Sequence, residues 1–128
     1  MRFLLDTHFV LWLPLDDPRI SREARTTILN PANSFTFSVS SIWEIAIKRR
    51  LGRPGFPHDP REIRRLLIEN GYEELGIESR HVVLVDSIPL IHKDPFDRVL
   101  IAQALVEGIT LLTADPVIAK YPGPILKV

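Results

Sequence analysis

The stretch HKDPFDRVLIAQALVEGITLLTADP, residues 92–116, carries a helix start, a helix stop, a strand and two separate acidic positions in one run. Asp94-Pro95 sets up an N-cap followed by a proline at the first helical position, where its missing N–H is not needed. Phe96, Val99, Leu100, Ile101, Ala102, Ala104, Leu105 and Val106 then make the helix apolar nearly all round, which predicts a largely buried helix. The helix reaches Glu107 and Gly108 closes it. Ile109 to Thr113 follows as a short strand that delivers Asp115 at its carboxyl end.

Working outward, the same alternation repeats. Residues 2–5 form an apolar strand ending at Asp6, and His8 to Leu13 fit a short helix that Pro14 stops. Ser21 can cap a helix bearing Ile20, Ala24 and Ile28 at four-residue spacing, ended by Asn30-Pro31. Phe35 to Val39 alternates apolar and polar residues, so it predicts a strand. A helix from about Ser41 to Leu51 follows, closed by Gly52. After a Gly- and Pro-rich loop to His58, Asp59-Pro60-Arg61-Glu62 opens a helix to Asn70. Val82 to Val85 suits a strand by β-branched content, yet Glu78 to Ile88 also suits a helix. Ile125 to Val128 is a last short strand. This alternation predicts an α/β fold, a three-layer α/β/α sandwich around a mostly parallel sheet, in one domain spanning residues 1–128.

In such a sheet the points after the strands converge on one edge, where α/β proteins place their sites. Asp6, Glu44, Asp97 and Asp115 all fall at strand-to-helix junctions or helix starts. Two such charges side by side repel by about 1 kcal/mol in water and about 4 kcal/mol at an effective dielectric of 20. A set of oxygen donors gathered at that cost suits Mg²⁺ or Mn²⁺. Each acid also has a plain structural role open to it. Asp6 can cap the helix near His8, and Asp115 a turn through Ala119. Asp94 is the expected N-cap beside Asp97. Ser41-Ile-Trp-Glu44 fits a capping box, and Glu44 and Lys48 make a favourable pair one turn apart. Together the four acids point to metal-dependent phosphodiester hydrolysis, with Asp6, Asp97 and Asp115 as metal ligands, Glu44 either as a further ligand or to orient or deprotonate water, and Thr7 and Thr113 to fix carboxylate geometry.

Composition narrows the field further. Sixteen acidic residues balance sixteen basic ones, so any case for a nucleic-acid partner must be local. With no cysteine, disulfides, thiolate metal sites and cysteine nucleophiles are excluded. The apolar N-terminus is interrupted by Asp6 and His8 and is too short to span a bilayer, so a cytoplasmic, non-membrane protein is expected. Lys48, Arg49, Arg50 and Arg53 form a local cluster with two open roles: RNA phosphate contacts, or a solvated helix face favoured by the helix dipole. Arg61, Arg64 and Arg65 suit ordinary surface, with RNA or partner contact as the lesser alternative. His8, His58, His81 and His92 show no metal-ligand spacing, and His92 is expected to shape the turn before Asp94. Phe9, Trp12 and Leu13 form a stripe for the core or for a partner groove.

The motifs LLDTHFVLW, SSIWEIAIKRRLG, IPLIHKDPFDRVLIAQA and LLTADP resemble, across essentially the whole chain, the PIN domains and specifically the VapC-type toxins of toxin–antitoxin pairs. The resemblance implies a Mg²⁺- or Mn²⁺-dependent endoribonuclease with its acidic quartet at Asp6, Glu44, Asp97 and Asp115. It places Thr113 as the hydroxyl beside the last acid and Asp94 at a motif position of the subgroup. It also implies a strand at about 74–77 with a helix after it, a homodimer and a cognate antitoxin. Two other readings compete. A phospho-receiver-like domain gathers acids at the same edge, but Glu44 on a helix and Lys127 inside the last strand fit it poorly. A catalytically silent PIN-like scaffold would bind RNA or protein, and loss of an acid would favour it; none is missing.

Overall fold

A computed structural model describes residues 1–128. Five strands form one sheet: β1 (Arg2–Leu5), β2 (Ser34–Ser38), β3 (Glu73–Leu75), β4 (Thr110–Thr113) and β5 (Ile125–Lys127). Their order is β3-β2-β1-β4-β5 and every neighbouring pair runs parallel. Six helices connect them: α1 (Thr7–Trp12), α2 (Arg22–Leu29), α3 (Val39–Arg50), α4 (Pro60–Glu69), α5 (Ser79–Val85) and α6 (Pro95–Glu107). None is long and apolar enough to cross a membrane.

The strand pleat sorts the core into two layers, because alternate side chains leave opposite faces. Phe3, Leu5, Phe35, Phe37 and Leu112 pack with Phe9, Val10, Ala24, Ile45, Ile63 and Leu67 from α1 to α4. Leu4 and Leu111 face the other way, against Leu100, Ile101 and Ala104 of α6 and the half-buried Leu84 and Val85 of α5. Helices thus cover both faces, which is why β1 and β4 are apolar runs rather than alternating ones. The sheet grows from β1 to β2 to β3 in one direction, then resumes on the other side of β1 with β4 and β5. The strand order reverses between β1 and β4, and the carboxyl ends of strands at such a switch are the expected seat of a site.

Four local expectations shift. The helix α1 begins at Thr7, because the Asp6 side chain accepts from the Phe9 N–H and so caps one residue earlier. The strand β2 ends at Ser38, and α3 begins directly at Val39 with Ser38 as its N-cap, accepting from the Ser40 N–H at 2.9 Å. The capping box of Ser41 and Glu44 is therefore absent: both residues lie inside the helix and Glu44 has no backbone to cap. The strand β3 is confined to residues 73–75, and residues 82–85 are helical, within α5, as the resemblance implies. The half-buried, amphipathic packing of α5 on α6 outweighs the β-branched content of Val82, Val83 and Val85.

Gly108 ends α6 in the left-handed region, at φ +66°, and its N–H bonds back to the Ala104 carbonyl. A Cβ there would meet nothing within 4 Å, so the backbone alone demands glycine. Gly108→Ala is expected to destabilise the fold by about 1–2 kcal/mol through that strain. Urea unfolding with an unchanged slope would measure it.

Candidate active site

Asp6 lies at the end of β1, 1% exposed, with both carboxylate oxygens engaged. Oδ1 accepts from the Phe9 N–H at 3.1 Å, and Oδ2 accepts from the Thr113 hydroxyl at 2.5 Å. Thr113 ends the neighbouring strand β4, and its oxygen also accepts from the Asp115 N–H at 2.9 Å. One hydroxyl thus ties together the ends of β1 and β4 and the backbone of a second acid. Asp115 Oδ1 in turn accepts from the Val117 N–H at 2.8 Å, ahead of a single 3-10 turn at Ile118–Lys120.

Glu44 is 4% exposed on the inner face of α3. Its Oε1 accepts from the Thr7 hydroxyl at 2.7 Å, and Thr7 also meets the Ser41 hydroxyl at 3.0 Å. Its Oε2 contacts Lys48 Nζ at 2.5 Å, one helical turn on, and the same ammonium lies 3.8 Å from Asp94. Lys48 therefore bridges α3 to the start of α6. Asp94 caps α6 by accepting from the Phe96 N–H at 2.9 Å. Asp97 follows in the first turn, near the positive end of the helix.

These acids come together around Asp97. Its pKa is pushed up to about 8, first by burial and then by the negative charges of Asp94, Glu44, Asp6 and Asp115. The Asp6 carboxyl is also raised by burial, against the lowering effects of the Thr113 hydroxyl, the Phe9 and Ala114 N–H groups and His8. Apart from the hydroxyls, the nearby counter-groups are Lys48 and His92, whose Nε2 lies 2.9 Å from Asp97 Oδ2. Such a set of carboxylate oxygens, with more negative charge than its cations offset, is chemically suited to a hard divalent ion.

Of the residues singled out in the sequence, Asp6, Thr7, Glu44, Asp94, Asp97, Thr113 and Asp115 are all brought to this edge. The basic cluster is split. Lys48 points into the acids, and Arg49 lies 3.6 Å from Asp59. Arg50 and Arg53 are exposed and pair with no carboxylate. Phe9 belongs to the core, while Trp12 is half-buried between the stacked His8 ring and the Arg19 guanidinium. From the sequence, His92 carries only a turn-shaping role. Its backbone helps shape the turn, as expected, but its ring also enters the acidic cluster. Only its position two residues before Asp94 hinted at this.

A family model described as PIN domain matches residues 3–124. No curated protein matches the chain in sequence. Among solved structures, the chain is similar to one in VapBC2 from Rickettsia felis bound to a promoter DNA fragment. The two share 15% identity at a TM-score of 0.69, over 99% of this chain and 98% of that one. DNA-bound VapBC from Salmonella typhimurium gives 18% identity and 0.68 over the same shares. VapBC-1 from nontypeable Haemophilus influenzae gives 21% and 0.57, over 90% of this chain and 87% of that one. At these identities the likeness is one of fold.

Asp97 sets a pH dependence for the metal-free protein. Its folded pKa of about 8 lies above its ordinary value of 3.8, so the folded state holds the proton more tightly than the unfolded chain. Stability from this group is therefore greatest at low pH and falls as pH rises through that window. In EDTA, the melting temperature of Asp97→Asn is expected to exceed that of the unmodified protein increasingly from pH 5 to 8. Thermal melts across that range would show it, and equal differences at both ends would refute it.

Proposed function

The chain belongs to the PIN domain family, and from that premise we propose that it is a metal-dependent endoribonuclease, the toxin of a toxin–antitoxin pair. The observation that carries the proposal is the gathering of Asp6, Glu44, Asp94 and Asp115 around a buried Asp97. Asp6, Asp97 and Asp115 would hold Mg²⁺ or Mn²⁺, with Glu44 completing the set. When bound, the ion supplies positive charge to the phosphate oxygens and makes water more acidic.

The chain's own groups account for the rest. Glu44 is held by Thr7 on one oxygen and by Lys48 on the other, yet each oxygen keeps lone-pair capacity for one more donor. It orients the attacking water and accepts its proton. The water oxygen forms the new bond to phosphorus, and the bond from phosphorus to the leaving ribose oxygen breaks; that oxygen takes its proton from solvent. Holding Glu44 and Asp6 rigidly through Thr7 and Thr113 preserves the orientation on which such transfer depends. Lys48 offsets charge within the cluster, which leaves Arg50 and Arg53 as the phosphate contacts outside it.

The antitoxin partner is supported by the VapBC assemblies among the structural neighbours. A homodimer, by family resemblance, and a cytoplasmic protein of one domain complete the proposal. The catalytically silent scaffold shares the fold but has no need of a repelling carboxylate cluster, so cleavage separates the two.

Purified protein free of antitoxin is expected to cut RNA from a mixed structured and single-stranded pool with Mg²⁺ or Mn²⁺, and not with EDTA. Asp6→Asn should abolish cutting, and Glu44→Gln should slow it by about 10²–10⁴-fold, the usual contribution of a general base. Equal cutting by folded Asp6→Asn and unmodified protein would overturn the proposal. Arg50→Ala and Arg53→Ala should each weaken binding of single-stranded RNA. Each should also flatten the dependence of log affinity on log salt by about 0.7, one phosphate contact.

A further inference from the structure

We infer that His92 is a ligand of the divalent ion, so that one side of the cluster offers nitrogen as well as oxygen and favours Mn²⁺ over Mg²⁺. This rests on the metal-dependent reading above and assigns a residue that the acidic quartet does not include.

Two observations carry it. First, one ligand atom each from His92, Asp94 and Asp97 lies within 4.8 Å of the others, and His92 Nε2 is 2.9 Å from Asp97 Oδ2. Second, the segment that presents His92 is firmly built. The His92 N–H donates to the Tyr121 hydroxyl at 2.6 Å, and that hydroxyl donates to the His92 carbonyl at 3.2 Å. Arg98, 9% exposed, donates to the Val85, Ile88 and Pro89 carbonyls at 2.9–3.0 Å and to the Tyr121 oxygen at 3.3 Å. Both devices hold the backbone, and the ring's one close polar contact is Nε2 to Asp97 Oδ2. Beside these, imidazole chemistry allows the ring to change partner. Its proton can sit on Nδ1 while the Nε2 lone pair turns from Asp97 to an ion held between them.

A second trio, Glu78, His81 and Glu107, has similar spacing but opposite chemistry. There His81 Nδ1 accepts from the Glu78 N–H at 2.9 Å, which keeps the proton on Nε2, where it faces Glu107 at 3.1 Å. Ligation through that Nε2 would require a proton on Nδ1 and the loss of the Glu78 bond. His81 locks α5 to the end of α6, whereas His92 has no such lock.

Imidazole nitrogen is a softer donor than carboxylate, so its presence raises affinity for first-row transition ions more than for Mg²⁺. Arg98 and Tyr121 are positioning residues in this arrangement and touch no ion themselves.

The test is pulsed electron paramagnetic resonance of the full chain loaded with Mn²⁺, with Mn²⁺ and Mg²⁺ titrations by calorimetry alongside. Nitrogen hyperfine coupling is expected in the unmodified protein and in His8→Gln, which removes the exposed imidazole nearest Asp6. It should be lost in His92→Gln, whose backbone clamp to Tyr121 stays intact. Mn²⁺ affinity should fall in that variant by at least about tenfold, the lower end of what even outer-shell partners of a metal contribute, and Mg²⁺ affinity should fall less. Mn²⁺ bound without nitrogen coupling, or coupling that survives His92→Gln, overturns the inference and makes His92 a counter-ion of Asp97. If neither ion binds, the metal-dependent reading itself fails.

Discussion

Asp97 stands in the first turn of a buried helix with four other carboxylates around it, and burial together with their charge raises its proton affinity to about 8. Nearly every polar contact at the carboxyl edge of the sheet bears on this repulsion. The topology that creates it also relieves it. In parallel β/α units the strands end, and many of the helices begin, on the same edge. Acids delivered there meet unpaired N–H groups and the positive ends of helix dipoles. Asp6 caps α1, Asp94 caps α6, and Asp97 occupies the first turn of α6. Threonine hydroxyls and one lysine supply further relief, and what remains is the excess negative charge that a divalent ion would neutralise.

The sequence showed the layout of the molecule well and its cross-connections poorly. The helix Pro95–Glu107 was visible because its caps and its apolar surface are local properties. The acids after β1 and β4 were visible because short apolar runs end in them. The start of α3 was misplaced because the spacing of Ser41 and Glu44 matches a capping box, a purely local signal. The choice fell to Ser38 when β2 passed directly into the helix. That shift matters for the site, since it frees Glu44 from capping and turns it toward Thr7, 37 residues away. Lys48 resembled a solvent-facing cation until α6 brought Asp94 beside it. His92 depends on Tyr121, 29 residues on, and no pattern along the chain could pair them.

Arg98 explains how a loop without regular structure can place a side chain so firmly. Its guanidinium is buried with three carbonyls and a hydroxyl and no carboxylate partner. A charge buried among neutral acceptors is costly unless its donors are satisfied, and here at least four are. The planar fork suits the convergent carbonyls of residues 85, 88 and 89 in a way that a lysine ammonium could not reproduce. Because Arg98 is next to Asp97 on the same helix turn, the arginine fixes the loop relative to the acid. The segment Val85–His92 and the first turn of α6 therefore behave as one unit.

The two walls of the cluster differ in consequence. On one side Asp6 has each oxygen bound, to a backbone N–H and to Thr113, and Glu44 is similarly held between Thr7 and Lys48. Those carboxylates cannot move without breaking contacts that tie strands and helices together. On the other side Asp97 has the His92 ring as its close polar contact, and only the backbone of His92 is clamped. A rigid wall fixes where a cation can sit. A wall with an exchangeable contact can trade that contact for the ion at small cost, because the imidazole that faces Asp97 in the ion's absence becomes a donor in its presence. Metal-free and metal-bound states would then share one backbone and differ in the direction of a single ring nitrogen.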